Sequence, residues 1–504
     1  LEALQQPIPF SVSDPIWDKL KVYLASKGMK PEPFEHQTDM ARFHFAARNT
    51  LDLSEVGCAK TAPAIVTLAR LFKQGSMKRV LVICRNSAVK NWANEIEHCS
   101  DLSSIILRGD KDKRIALLQQ AKLSDIYIIN YEGLRVIFPY LMAMTWDMIL
   151  CDEIHAIKSY KGSKRTPTQS YLVRELGKNA RSRKGLTGTA LTNSIEDVWA
   201  IFQFIDPNIF KCNFWGFRNR YMYNANATKS WMRFPDWQAR PGAAEEIKKL
   251  IAPVVIRFEK REVMKFLPPV LFEQRLVELS PEQRRAINEL TRHFITELDD
   301  GTEFAALEAL TRVGKILQIC AGFIYRENEA VYRFPSNPKL TVLKEILDEI
   351  GESRAIIWAS YKEDIVLINQ TLIEMGKEGR FASITGATRE DSRQDLIDAF
   401  NRNELQYLSC NPNCAGESLT ILAPYAIVYS RNHKLGERVQ LLGRNDRPGA
   451  EQFENLTVID IVADVPAELR VIAALDSKED LLKTINPESF RRMLTEGGTN
   501  GVKR

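Results

Sequence analysis

The sequence predicts an α/β protein of two lobes, each a parallel sheet flanked by helices, with a mostly helical region between them. Three observations lead there. A chain of 504 residues exceeds what one hydrophobic core ordinarily serves. In both halves, short apolar runs alternate with amphipathic segments, the pattern of β-α units around strands buried on both faces. Between the halves the texture changes, first crowded with aromatic residues and then rich in helix formers.

In chain order, residues 79–84, 126–130 and 148–151 read as buried strands, with amphipathic helices over 62–72 and 92–98. Residues 278–322 read as helix with polar punctuation, and Pro268-Pro269 and Ser336-Asn337-Pro338 are breakers. The second half repeats the strand pattern at 355–358, 381–384, 406–409, 426–429 and 456–459. The expected organisation is a first lobe over 1–267 with an aromatic-rich protrusion, a helical linker over 268–335, a second lobe over 336–484 and a tail over 485–504.

Hydrophobic content of 45% and charged content of 26% match a globular protein. No run of about 18 apolar residues exists to span a membrane, and an N-terminus without a basic start or an apolar h-region is not expected to act as a secretion signal. The eight cysteines form no C-x-x-C pair for zinc, so free thiols in a reducing cytoplasm are expected. A net charge of +5 permits nucleic-acid binding without arguing for it.

Two segments carry chemistry. Ser54-Glu55-Val56-Gly57-Cys58-Ala59-Lys60-Thr61 follows a short apolar segment and opens a helix, where backbone N–H groups and the helix dipole favour phosphate. Lys60 would reach the β- and γ-phosphates and the Thr61 hydroxyl would ligate magnesium. Ser54 and Ala59 stand at the glycine positions of the strict pattern, and Ala59 fits only if its φ stays negative. An ordinary strand-to-helix turn is the competing reading. The apolar run at 148–151 ends in Asp152-Glu153-Ile154-His155, placing two carboxylates where parallel sheets bind ligands. Asp152 would hold the metal, and Glu153 would orient or deprotonate water. A solvated helix start would look alike in isolation.

Basic residues follow and flank these motifs: Lys158, Lys161, Lys164 and Arg165, then Arg181, Arg183 and Lys184. Their chemistry suits phosphate contacts that are blind to sequence, and a merely solvated face is the alternative. The aromatics from Phe214 to Trp237, interleaved with arginines, could stack on bases, but core packing is the favoured reading.

Taken together, His36-Gln37, the phosphate loop, Asp152 to His155, Lys184 to Ala190, Asn411 to Leu419 and Gln440 to Arg447 resemble the ordered motifs of helicase superfamily two. Within it, the chain is similar to the Swi/Snf-type ATPases over about residues 34–482. The resemblance implies two RecA-like lobes, ATP and magnesium as cofactors, and ATP hydrolysis coupled to movement on duplex, forked or branched DNA. It implies that Gln37 reads adenine and that Gln440 joins Gly57, Cys58, Ala59, Lys60 and Thr61 at the nucleotide. It implies that Thr187 and Thr189 contact DNA and that Arg444 and Arg447 are arginine fingers. Ile256 to Arg261 matches the family's arginine-rich exit from the first lobe. Ser418, where glycine is usual, departs from the pattern, as does Ala59. The stretch from Arg218 looks like the fork-remodelling branch. A compact, monomeric motor of bacterial or phage origin is expected, with branch migration, fork remodelling or repair as output. Displacement of bound protein, or a nucleotide-gated DNA clamp, stands as the alternative.

Overall fold

The computed structural model describes residues 10–26, 32–120, 124–188, 195–226, 237–299, 306–326, 330–412, 420–432, 443–476 and 487–495. The chain divides into two compact units, Leu1–Lys265 and Phe266–Arg504.

The first unit is built on a parallel sheet. Its strands are β1 (Asn49–Asp52), β2 (Val80–Cys84), β3 (Ser104–Ile106), β4 (Ile126–Asn130), β5 (Trp146–Asp152) and β6 (Ala180–Leu186). After a small hairpin of β7 (Met222–Asn224) and β8 (Trp237–Ala239), the strand β9 (Val255–Ile256) closes one edge. The order is β3-β4-β2-β5-β6-β1-β9. Both faces are buried: Leu81, Ile83, Tyr127, Ile129, Ile149 and Cys151 point into one core, and Val80, Val82, Ile126, Ile128, Met148 and Leu150 into the other. Side chains alternate across a strand, so burial of both faces requires the unbroken apolar runs seen in the sequence.

The second unit carries another parallel sheet, formed by β10 (Val270–Val277), β13 (Ala355–Trp358), β14 (Phe381–Ile384), β15 (Tyr407–Cys410), β16 (Tyr425–Val428) and β17 (Leu456–Ala463). A short hairpin, β11 (Phe323–Tyr325) and β12 (Val331–Arg333), precedes β13. The sheet order is β10-β17-β16-β13-β15-β14. β10 is an edge strand on which Leu271, Phe272 and Leu276 are exposed. The helices Pro281–Asp299 and Ala306–Cys320 contribute Ile287, Phe294, Leu310 and Leu317 to a core shared with Val471, Leu475, Phe490 and Met493. The two-lobe α/β class with a helical middle is therefore what the chain adopts. No helix among the described residues is long and apolar enough to cross a membrane.

One ion pair is sealed in the second unit. Lys339 Nζ donates to Glu468 Oε1 at 2.6 Å, with both side chains buried, and Glu468 Oε2 accepts the Ala463 N–H. Arg431 Nη1 also reaches Glu468 Oε1, at 3.7 Å, so removing Lys339 leaves the carboxylate with a weaker charge partner. Lys339→Met is expected to destabilise this unit by about 3 kcal/mol or less, visible as a lowered denaturant midpoint for the second unit's transition.

Candidate active site

The sheet order converts separated motifs into neighbours. β5, β6 and β1 lie side by side, so the loops leaving their C-terminal ends meet at one edge, where parallel sheets present ligand-binding residues. These loops carry Asp152-Glu153, Thr187-Gly188 and the phosphate loop.

The phosphate loop is braced from several directions. Leu53 N–H donates to Ile256 O at 2.8 Å, Glu55 N–H to Phe258 O at 3.0 Å and Phe258 N–H to Ser54 Oγ at 3.0 Å. Lys260 N–H adds a bond to Glu55 Oε2 at 3.0 Å. The segment after β9 thus anchors the loop, a role that the sequence reading of Ile256 to Arg261 did not contain. Gly188 touches the loop from the other side: a Cβ there would lie 2.8 Å from Val56 N, so only glycine allows this approach. The helix Thr61–Lys73 begins directly after Lys60, aiming its N-terminal dipole at the loop. Lys60 Nζ donates to Ser54 O at 2.8 Å and Glu55 O at 3.0 Å. Cys58 is buried, which pushes its thiol up to about 11, and its backbone N–H donates to Glu55 O at 3.2 Å.

The expectation for Ala59 is corrected. Its φ is 53°, in the left-handed region that the methyl group resists by about 1–2 kcal/mol. Ala59→Gly is expected to raise stability by about 1 kcal/mol or less, since the relieved strain is partly offset by a freer unfolded chain. Thermal melting of the first unit checks this; a lowered melting temperature refutes it.

At the acidic pair, Trp92 Nε1 donates to Asp152 Oδ2 at 2.8 Å and Glu153 N–H to Asp152 Oδ1 at 3.0 Å, while Tyr131 Oη donates to Asp152 O at 2.8 Å. Glu153 also sits at positive φ, 49°. Its Oε2 lies 3.1 Å from Thr187 Oγ1, which donates to it, and 3.1 Å from His155 Nδ1. His155 Nε2 lies 3.2 Å from Arg85 Nη2. A guanidinium only donates, so Nε2 accepts and the proton resides on Nδ1, facing Glu153. Burial pushes the Glu153 carboxyl up, but the His155 hydrogen bond, the Lys60 charge and the Thr187 hydroxyl outweigh it and hold the group below the usual carboxylate range. A carboxylate held this way orients a water more readily than it keeps a proton.

Thr61 and Asp152 supply a hydroxyl and a carboxylate, hard oxygen donors of the kind magnesium takes alongside water and phosphate. The indole of Trp92 holds the Asp152 carboxylate in a defined orientation. The pair therefore fits the ion that the sequence reading assigned to it.

Several expected contacts are corrected. Lys184 is buried: its Nζ donates to His44 O at 2.6 Å, Ala47 O at 2.9 Å and Thr50 Oγ1 at 3.3 Å, so it is not a surface group for DNA. Burial pulls its pKa down to about 7. Thr187 is likewise buried and serves Glu153. Gln37 is buried with both amide ends engaged, Nε2 donating to Ala59 O at 3.2 Å and Oε1 accepting from Phe34 N–H at 3.0 Å, so in this arrangement it braces the loop instead of reading a base. Arg444 is buried in the second unit over the Trp358 ring, its Nη2 reaching Pro412 O at 3.4 Å, which removes it as an outward finger. Arg447 stays partly exposed, with Nε donating to Gly443 O at 2.7 Å. Thr189, Gln440 and residues 413–419, including Ser418, lie outside the described residues.

Lys158, Lys161, Lys164 and Arg165 are all exposed, on a loop tied down by Arg174 Nη1 to Ser159 O at 2.8 Å and Thr168 Oγ1 to Lys161 O at 2.8 Å. Arg183 is half-buried on β6. Phe214, Phe217 and Tyr221 belong to the core, as favoured, while Trp215 is exposed. Trp231 and Phe234 lie outside the described residues.

Residues 40–321 match the model of the SNF2-related domain, and residues 338–449 match the helicase conserved C-terminal domain. Among similar proteins, the TATA-binding protein-associated factor BTAF1 of Arabidopsis thaliana is 24% identical over 77% of this chain and 22% of its own length. The nuclear protein STH1/NPS1 of Saccharomyces cerevisiae is 24% identical over 90% of this chain and 35% of its own. The putative ATP-dependent helicase/translocase YwqA of Bacillus subtilis is 24% identical over 85% of this chain and 45% of its own. The chain thus spans less than half the length of these curated relatives. The solved Sulfolobus solfataricus SWI2/SNF2 ATPase core in complex with dsDNA aligns over 92% of this chain and 97% of that one, at 21% identity and a TM-score of 0.41.

Proposed function

The chain belongs to the SNF2-related family, and from that premise we propose that it hydrolyses ATP to move on DNA. The observation that carries the reading is the meeting of Lys60, Glu153, Thr187 and His155 at one sheet edge, around a loop whose backbone amides suit a triphosphate. Magnesium, when bound, would be held by Thr61 and Asp152 and would supply neutralisation of phosphate charge. Lys60 exchanges its two carbonyl partners for phosphate oxygens. Glu153, kept ionised by His155 and Thr187, orients the attacking water. Arg85 holds the His155 ring in the tautomer this requires. Arg447 is carried over from the family resemblance alone as the residue that would stabilise charge on the transferring group.

The DNA track is proposed to run along the basic loop that follows the acidic pair. Replacing Lys158, Lys161, Lys164 and Arg165 with alanine is expected to weaken duplex binding evenly across sequences. The slope of log affinity against log salt should fall by about one for each DNA phosphate that these side chains no longer neutralise. An unchanged slope removes the loop from the track.

Branch migration or fork remodelling by a monomer is the proposed output. Displacement of bound protein is the second reading, favoured by relatives named for chromatin regulation. Turnover measured without DNA, then with duplex, single-stranded and branched DNA, tests both. Stimulation greatest with branched DNA supports remodelling, and equal stimulation by plain duplex supports displacement. Turnover indifferent to all DNA sinks the translocase and favours a nucleotide-gated clamp.

A further inference from the structure

We propose that a buried polar chain under the phosphate loop, running Lys184, Thr50, His44 and Asp52, positions that loop and through Ser54 sets the place of Lys60. Thr50 and Asp52 are alternate residues of β1, and Thr50 is in register with Lys184 of β6, so all three project to one face of the sheet. His44 comes from the helix Glu35–Ala46 that covers this face. All four side chains are buried.

The donors and acceptors admit one consistent order. In its charged form Lys184 gives its three protons to His44 O, Ala47 O and Thr50 Oγ1, two of them carbonyls at the helix C-terminus, where the dipole favours a cation. Thr50 Oγ1 therefore accepts from Lys184 and gives its own proton to His44 Nδ1, 2.7 Å away. His44 Nε2 then carries hydrogen and faces Asp52 Oδ2 at 3.5 Å. Asp52 Oδ1 accepts the Ser54 N–H at 2.8 Å, and Ser54 O accepts from Lys60 Nζ at 2.8 Å. From Lys184 to His44 each hydrogen bond hands a proton in the same sense, and the last contact, His44 Nε2 to Asp52 Oδ2, is an electrostatic one longer than a hydrogen bond, facing the carboxylate that grips the first residue of the loop. Burial lowers the His44 pKa, in keeping with the neutral ring this order needs. Apolar side chains of the same volume would fill such a layer at lower cost; what the polar set adds is the bond to Ser54.

The positioning role rests on the nucleotide-site reading above only for its catalytic consequence, and the test separates the two. Hydrogen exchange is measured by mass spectrometry on the peptide covering 53–61 of the full chain, for wild type, Asp52→Leu and Asp52→Asn. Asp52→Leu, which removes the acceptor for Ser54 N–H, is expected to speed exchange about tenfold, the size of one lost hydrogen bond to a charged acceptor. Asp52→Asn keeps an oxygen for Ser54 N–H but turns its NH2 toward the His44 Nε2–H, and is expected to fall between wild type and Asp52→Leu. Wild-type exchange in folded Asp52→Leu overturns the proposal. If that variant does not fold, Thr50→Val breaks the link between Lys184 and His44 at constant volume, and wild-type exchange there overturns it equally. In steady-state ATP hydrolysis, Asp52→Leu should raise KM about tenfold with kcat changed by less than about threefold. A lowered kcat at unchanged KM marks a merely structural loss and overturns the proposal. If wild type shows no ATP turnover, the ATPase reading fails and the exchange arm alone decides the positioning.

Discussion

Glu153→Gln is expected to leave ATP binding intact while cutting turnover by about 10²–10⁴-fold, the range of a positioned acid–base group. The substitution keeps the side chain's length and one oxygen to accept from Thr187 Oγ1 and His155 Nδ1, so the local structure persists and only the charge is lost. Single-turnover hydrolysis alongside equilibrium nucleotide binding separates the two effects. The Glu153 carboxyl lies below the usual carboxylate range. Its folded-state pKa is depressed, so it stays ionised through neutrality and the acid limb of kcat against pH should fall below the unperturbed value near 4.5. A limb near pH 6 to 7 would assign that limb to another group.

Arg447→Ala is expected to lower kcat by about 10³–10⁵-fold with little change in stability, since arginine fingers contribute on this scale. Arg444→Ala should behave differently. Its guanidinium is packed over Trp358, so truncation is expected to lower the melting temperature of the second unit first. If both variants lose turnover without loss of stability, the division of roles between these arginines is wrong.

The fold was legible where burial makes sequence simple. β2, β4 and β5 lie in the sheet interior with apolar cores on both faces, and their apolar runs mark them with little error. β1 and β6 escaped because their sequences, Asn-Thr-Leu-Asp and Ala-Arg-Ser-Arg-Lys-Gly-Leu, do not look like interior strands. They are admitted to the sheet because His44 of the helix Glu35–Ala46 bonds Thr50, faces Asp52 and accepts from Lys184, a pairing about 140 residues long that no local pattern contains. The same limit applied at the site. Lys60, Asp152 and Glu153 were readable from their local motifs. The Trp92 indole on Asp152 and the Arg85–His155 brace depend on β2 and β5 being adjacent. Lys184 misled because a lysine beside a motif looks solvated until the strand around it is placed.

The outer strand of the second sheet bears on how this molecule behaves at high concentration. Along β10, Phe272 and Leu276 project from one face of a strand whose partner among the described residues is β17, and an unpaired edge carrying large apolar groups templates strand addition between copies. Glu273 and Arg275, joined to each other and to Glu349 on the opposite face, occupy alternate positions as charged gatekeepers. Neutralising that pair is expected to lower the concentration at which light scattering first reports aggregation.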